Sequence, residues 1–415
     1  MMNGVMSQAR ANALSTGSTP ASSNRTRGGG RHGLSQGTAE DEAWMYQALA
    51  LAEQGRGLVE PNPMVGCVLV KDGHELGRGY HELFGGPHAE AHALQDAERR
   101  RELVQGATAY VTLEPCSHFG KTPPCADALV EAQVARVVIA MVDPHPRVSG
   151  QGIEKLREAG IEVVVGVCQQ QAEQLNEPFT KRATTGLPWV IAKWASTLDG
   201  KTATHTGHSK WISSPTSRQL VHDIRARVDA VMVGIGTVLA DDPELTARDV
   251  EIKRTARRVV IDPELRMPPP SKLALGAEPG DPPVTIGICN EVYNGPSQRI
   301  KDYTEHGIGF MPLPRLENQY LEIEPLLRHL AEAHNATNVL VEGGAALIGS
   351  MLDQGMVDQV LTFVAPKILG DERATPAVSG HLRETIDMST MLKLRNVQRI
   401  EDDVLLDYRV TRTVL

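Results

Sequence analysis

Apolar positions in "DEAWMYQALALAEQG" recur at helical spacing and stop at Gly55, a residue suited to a helix C-cap. The run "MVGCVLV", the turn "KDG" and the segment "HELGRGYH" then form a β-hairpin pattern. A helix is predicted from His88, followed by the strand "ATAYVTLEP", a helix at "CADALVEAQ" and the strand "ARVVIAMV". The helix "GIEKLREAG" and the strand "IEVVVGV" come next, and "QQQAEQLNEPFTKRATTG" reads as one closing helix. A second unit starts near Leu187 with the strand "PWVIAKWAST". It continues through "DAVMVGIGTV", "RRVVIDP", "PVTIGIC", "NVLVEGGAALIGSML" and "QVLTFVAPKIL". The Pro-rich patch "RMPPPSKLALGAEPGDPP" reads as a surface loop inside it. Strands alternating with helices predict an α/β protein, and no repeat relates the two halves.

The 415 residues suffice for two or three domains, and 41% hydrophobic against 22% charged residues provides ample core material. Residues 1–39 are the exception: "STGSTPASSNRTRGGGRHG" has no acid, no Phe, Trp or Tyr and nothing to bury, which predicts a disordered tail. Its Arg/Ser-rich composition also fits an organelle transit peptide, but it lacks the apolar segment of a secretory signal. The expected divisions are therefore a tail over 1–39, one domain over 40–186 and another over 187–415. No run is apolar enough for a membrane span. A net charge of -9 without a basic block disfavours a general polyanion binder. Cys67, Cys116, Cys125, Cys168 and Cys289 are irregularly spaced, which fits a reducing cytoplasm better than a secreted disulfide framework.

Chemistry enters at "PHAEAHAL" and "EPCSHFGKTPPC". His88, Cys116 and Cys125 offer one imidazole and two soft thiolates, a zinc set that leaves one tetrahedral position open, as catalytic zinc requires. Helix starts at both segments favour thiolates at Cys116 and Cys125. Glu90 shares the first helical turn with His88 and can lie beside the metal without ligating it. Zinc lowers the pKa of bound water, and Glu90 would take one proton and return it to a leaving nitrogen. This is the zinc-deaminase pattern, although the two cysteines are separated here by eight residues instead of two. A structural zinc site with an idle Glu is the alternative. The remaining cysteines read as core.

The segments "PNPMVGCVLVKDG", "GYHELFGGPHAEAHAL", "YVTLEPCSHFGKTPPCADAL" and "VDPHPRVSGQGI" closely resemble the bifunctional riboflavin-biosynthesis deaminase/reductases, the RibD family. The wider cysteine spacing is that family's own form. The resemblance continues through "KWASTLDGKTA", "SKWISSP", "RARVDAVMVGIGTVLADDPELTAR", "VEGGAALIGSML" and "APKILG". It implies a cytidine-deaminase-like three-layer domain followed by a dihydrofolate-reductase-like domain. It also implies two steps: hydrolytic loss of the 2-amino group of a diaminopyrimidinone ribosylamino phosphate, then NADPH reduction of its ribosyl chain to ribityl. One zinc ion per chain, NADPH, a small-molecule pyrimidine substrate and a homo-oligomer, dimer or tetramer, come with it.

Residue by residue, the resemblance gives Asn62 a pyrimidine edge to read through its amide. His81 and Lys121 line the same pocket, with Lys121 toward the phosphate, and His118 stands near the ligands. In the second half, Ala195, Trp211, Ser213, Thr237 and Asp241 fall at cofactor or substrate contacts. Ser209, Arg225 and Arg248 fall where the substrate phosphate is held. Glu342 matches a substrate-contacting acid, and Asp241 is the available general acid for the hydride step. No strand–GxGxxG–helix unit is present, which excludes a Rossmann site. Gly343 and Gly344 would instead let backbone approach the NADPH phosphates at a helix start. Asp199 reads as a turn residue or a site residue. Two rivals stay open: a deaminase of nucleic-acid bases, disfavoured by the acidic balance and 4% aromatic content, and a binding protein with a degenerate site.

Overall fold

The computed structural model describes residues 37–118, 123–145, 148–275 and 280–411. The tail up to residue 36 therefore lies outside the described residues. Helix α1 (Ala39–Ala52) opens with a capping box: the Asp41 backbone donates to the Thr38 hydroxyl, and the Asp41 carboxylate accepts from Thr38 N at 2.8 Å. Strands β1 (Gly66–Lys71) and β2 (His74–Tyr80) form the expected hairpin. Its tip, Asp72 and Gly73, has positive φ at both residues, which suits the right-handed twist of paired strands.

Helix α2 (Ala89–Arg100) follows, then β3 (Thr108–Leu113), α3 (Cys125–Glu131), β4 (Arg136–Met141), α4 (Gln151–Glu158) and β5 (Glu162–Val165). The strands form one sheet in the order β2-β1-β3-β4-β5. Alternation sorts their side chains. Val68, Val70, Tyr110 and Val138 pack under α1, whereas Cys67, Leu69, Val111 and Ile139 meet α2, α3 and α4. The sheet is thus sandwiched between helices. Ala89, Ala93 and Ala97 recur every four residues on α2 because the glycines of β2 admit the helix backbone; a Cβ at Gly79 would lie 2.5 Å from Ala93 N.

The single closing helix expected from the sequence is two: α5 (Gln169–Leu175) and α6 (Glu177–Thr185). The break is at Asn176, whose side chain accepts from Met64 N and donates to Met64 O, each at 2.9 Å. Pro178 then sits in the first turn of α6, where its missing N–H is tolerated.

The second sheet comprises β6 (Trp189–Thr197), β8 (Ala230–Gly234), β9 (Arg257–Ile261), β10 (Val284–Cys289), β11 (Gly309–Leu313), β12 (Asn338–Glu342), β13 (Gln359–Ala365), β15 (Met391–Ile400) and β16 (Asp403–Thr411). A short side ribbon pairs β7 (Lys201–Ala203) with β14 (Thr375–Pro376). The large sheet runs β11-β10-β9-β8-β12-β6-β13-β16-β15, parallel up to β13 and antiparallel beyond. Its helices are α7 (Pro215–Arg225), α8 (Ile235–Asp241), α9 (Lys272–Leu275), α10 (Asn290–Asn294), α11 (Gln298–Glu305), α12 (Glu324–His334) and α13 (Ala345–Asp353).

Two details depart from the sequence reading. The apolar run "DAVMVGIGTV" is a strand only to Gly234 and then turns into α8. The Pro-rich patch is not all surface: Met267 and Leu273 are fully buried and α9 lies within it, its start capped where Ala274 N donates to Ser271 Oγ at 3.2 Å. The patch plugs the core because its apolar residues are the ones that turn inward. Among the described residues, no helix is long and apolar enough to cross a membrane.

Candidate functional site

His88 is the N-cap of α2, with Glu90 in the first turn, so both project from the helix start next to the end of β2. Cys116 follows β3, and Cys125 is the first residue of α3, after Pro124. His88 Nδ1 lies 3.3 Å from Cys125 Sγ and 3.6 Å from Cys116 Sγ. All three donor atoms lie within 4.8 Å of one another. A tetrahedral zinc ion at ordinary bond lengths places N and S ligands about 3.6 Å apart, so the set fits that ion.

The two sulfurs are in hydrogen-bond contact. Cys125 donates to Cys116 and, with His88, pulls the Cys116 thiol down to about 4, whereas Cys125 itself is pushed up. A cation bound there would displace whatever thiol protons remain. Glu90 is buried, and burial raises its carboxyl above the usual range.

His88, Glu90 and Cys116 line a cavity of about 660 Å³ that also holds Asn62, His81, Phe84, Asp143, His145 and Phe179. His81 Nδ1 lies 2.9 Å from Pro87 O and its Nε2 lies 3.1 Å from Asn62 Nδ2. The carbonyl needs a donor, so the proton sits on Nδ1 and Nε2 accepts from Asn62. Burial holds His81 below its ordinary value, in agreement with a neutral ring. One Asn62 amide hydrogen is thereby committed, leaving Oδ1 and the other hydrogen for a ligand. His118 is exposed at the cavity wall; Lys121 lies outside the described residues.

Three groups here were not singled out from the sequence. Asp143 and His145 enter the cavity from the loop after β4, within the segment "VDPHPRVSG". Glu114 is the third: its carboxylate accepts from Asp143 N at 3.1 Å and from Gly150 N and Gly152 N at 2.9 Å each. It ties the end of β3 to that loop. Glu114→Ala removes the acceptor of four backbone N–H groups, since Ile153 N also donates to it at 3.4 Å. It should cost about 3 kcal/mol in chemical denaturation and raise the KM of any ligand in the cavity.

The other residues singled out gather mainly at the C-terminal ends of β6, β8 and β12. Ala195 is on β6, and Thr237 lies in the first turn of α8. Gly343 and Gly344 turn from β12 into α13 with φ of 67° and 82°, and a Cβ at Gly343 would meet Thr237 Oγ1 at 2.9 Å. Arg225 does not stand free for a phosphate. Its Nε and Nη2 donate to the two Glu342 oxygens at 2.6 and 2.8 Å, and Lys193 Nζ adds a third contact at 3.3 Å. Burial alone would raise the Glu342 carboxyl, but the charges of Lys193 and Arg225 outweigh it and hold it at about 2. Lys193 was passed over in the sequence, although a lysine inside an apolar strand is a signal.

Trp211 and Ser213 share one loop. Trp211 is 62% exposed, with the Arg218 guanidinium 4.3 Å from its ring centre, and Arg218 also donates to Ser213 O at 2.7 Å. Lys367 donates to Trp211 O and Ile212 O. Ser209 is half-buried on the same loop, and Asp241, at the end of α8, lies 3.8 Å from Lys210. Arg248 pairs with Glu244 at 2.6 Å on the surface. Asp199 lies in the turn after β6 and accepts from Leu369 N and Gly370 N. A larger cavity of about 870 Å³ lies between the two sheets; in its wall Lys181 pairs with Asp358 and Glu177 with Arg409, and Arg395 outside the wall also pairs with Glu177.

Comparison with known proteins bears on both halves. Residues 188–406 match the family model for the RibD C-terminal domain, and residues 38–141 match the cytidine and deoxycytidylate deaminase zinc-binding region. The riboflavin biosynthesis protein RibD of Aquifex aeolicus is 41% identical over 370 residues, covering 89% of this chain and 98% of its own. That of Escherichia coli is 39% identical over 369 residues, covering 88% of this chain and 98% of its own. Two solved structures, Acinetobacter baumannii RibD and a deaminase/reductase from Thermotoga maritima, each superpose with a TM-score of 0.77 at 38% identity. Each match covers 90% of this chain and 99% of the other. With a deaminase fold in front and a dihydrofolate-reductase-like fold behind, the chain belongs to the RibD family, the bifunctional deaminase/reductases of riboflavin biosynthesis.

Proposed function

We propose that residues 40–186 deaminate 2,5-diamino-6-ribosylamino-4(3H)-pyrimidinone 5′-phosphate, and that residues 187–415 then reduce the ribosyl chain of the product to ribityl. The observation that carries the first step is the His88–Cys116–Cys125 set with a buried carboxylate, Glu90, on the same helix turn. Those three residues would hold zinc, one ion per chain, which when bound makes water acidic enough to attack near neutral pH. Asn62, its amide aligned by His81, holds the pyrimidine edge. Glu90 takes a proton as water adds to the ring carbon, and delivers a proton to the exocyclic amine, which leaves as ammonia. Phe84 and Phe179 add apolar surface to the cavity wall.

For the second step NADPH supplies the hydride when bound. Gly343 and Gly344 open the backbone at the start of α13 to its phosphates, and the exposed Trp211 face offers a stacking surface. Ring opening exposes an imine carbon at C1′ of the sugar, and hydride addition there requires a proton at nitrogen. Lys193 Nζ, fixed by Glu342, is a buried proton source; Asp241 sits at the rim beside Lys210. Arg225 holds Glu342 in place, while Ser209 and Arg248 remain for the phosphate.

We further assign the exposed edge strand β15 to contact with a second copy of the chain. Leu392, Leu394 and Val397 share one face of it across from Val410, Tyr408 and Leu406, and each is at least 40% exposed. A reducing cytoplasm suits the five free cysteines.

Dialysis against a chelator tests the zinc assignment. Ammonia release should disappear and return on adding zinc, while NADPH oxidation with the already deaminated substrate continues. Parallel loss of both activities would contradict it.

A further inference from the structure

The loop that carries Asn62 is gripped by the other half of the chain. It runs from Arg56 to Asn62, between α1 and β1. Within its own half, Leu58 O accepts from Phe84 N and Val59 O accepts from Asn62 N. Three more of its carbonyls accept from cations on the segment that leads into β9. Lys253 Nζ donates to Arg56 O at 3.4 Å, Arg254 Nε to Gly57 O at 3.4 Å, and Arg254 Nη2 to Glu60 O at 2.6 Å. The buried Glu60 carboxylate closes the loop by accepting from Gly57 N at 3.0 Å.

The fit at Gly57 is tight. Its φ is 82°, and a Cβ there would lie 2.7 Å from Arg227 Cβ. Arg254 itself is fixed. Its Nη1 pairs with Asp229, whose other oxygen accepts from Thr337 N and Asn338 N at 2.8 Å each. These anchors stand at the starts of β8, β9 and β12. The glycine turn and Glu342 stand at the far ends, roughly 17 Å away along five-residue strands.

We infer that Arg254, a residue of the reductase half, is a positioning residue of the deaminase site, acting through the Gly57–Glu60 loop on Asn62 and Phe84. The inference rests on the deaminase reading of that cavity. It gives the covalent joining of the two halves a catalytic consequence: the reductase half completes the wall of the deaminase cavity.

The test uses the full chain, and its second activity serves as a control for folding. Arg254→Met keeps the aliphatic stem and removes the fork. Ammonia release from the diaminopyrimidinone phosphate should lose roughly ten- to a hundred-fold in kcat/KM, mostly through KM, as expected for a reading group displaced by about 1 Å. Zinc content should hold, and NADPH oxidation on the deaminated substrate should stay within about twofold of the unaltered chain, because that site lies at the opposite strand ends. Arg254→Lys should recover part of the loss by reaching one carbonyl. If Arg254→Met is insoluble, Gly57→Ala displaces the same loop without removing a charge, and the same selective loss is expected. Unchanged deamination in a soluble variant, or equal loss of both activities, overturns the inference. Failure of the unaltered chain to release ammonia would instead overturn the deaminase reading, and the inference with it.

Discussion

Glu90→Gln should reduce ammonia release by a factor of about 10²–10⁴, the usual contribution of a positioned general acid–base. That corresponds to roughly 3–5 kcal/mol of barrier at 1.36 kcal/mol per tenfold. Glutamine fills the same volume and cannot carry the proton. Zinc content should be unchanged, because Glu90 is not one of the three donors that converge. Stability should hold or rise. Burial pushes the Glu90 carboxyl upward, so folding penalises its ionised form near neutrality, and a neutral amide escapes that penalty. Parallel zinc analysis and thermal melting distinguish this outcome from a collapsed site. NADPH oxidation with the deaminated substrate should proceed at the unaltered rate.

Glu342→Gln should do the converse. Its carboxylate lies between Arg225 and Lys193, and all three side chains are largely buried. Removing the charge leaves two cations facing each other without a counter-ion, at a cost of about 3 kcal/mol. Reduction should fall sharply, because both the fixed lysine and the sugar-facing acid are lost, while ammonia release continues. The pH dependence has a definite sign. Glu342 is held at about 2 against an ordinary 4.5, so its contribution is complete above 4.5 and is lost as pH falls toward 2. Urea midpoints of the unaltered chain and the variant should therefore differ most at neutral pH and converge below pH 4.5. A constant gap across that window would show that the ion pair is not its source.

Much of this was legible in the chain because the signals are local. Strand and helix periods located both sheets, and the tip Asp72–Gly73 fixed the first hairpin. His88 and Cys125 stood out because metal-ligating types at helix starts have no packing purpose there, and Cys116, after β3, completes the set. The residues that escaped depend on distant partners. Asn176 breaks a helix because Met64 is waiting for its amide, and nothing nearby in sequence announces that. Arg225 reads as a free phosphate ligand until Glu342, 117 residues on, takes both arms of its fork. Glu114 looks like an ordinary strand-end charge until its hydrogen bonds are traced, whereas Lys193, inside an apolar strand, left a signal whose partner Glu342 lies 149 residues on. The hairpin of β15 and β16 was missed because β15 is polar at half its positions and exposed nearly throughout, so no buried face imposes an alternation. Resemblance supplied the names of many reductase-half residues, but their pairing became visible only in three dimensions.

Two separable sites acting in order predict complementation. The assay is NADPH oxidation, followed by near-ultraviolet absorbance, with the diaminopyrimidinone phosphate as the only substrate. Glu90→Gln alone should be silent for want of the deaminated intermediate, and Glu342→Gln alone should release ammonia without oxidising NADPH. Mixed in one cuvette, the two variants should restore oxidation, after a lag while the intermediate accumulates. NADPH oxidation by Glu90→Gln alone at the unaltered rate would contradict the account, because reduction would then not require prior deamination at the zinc-type site.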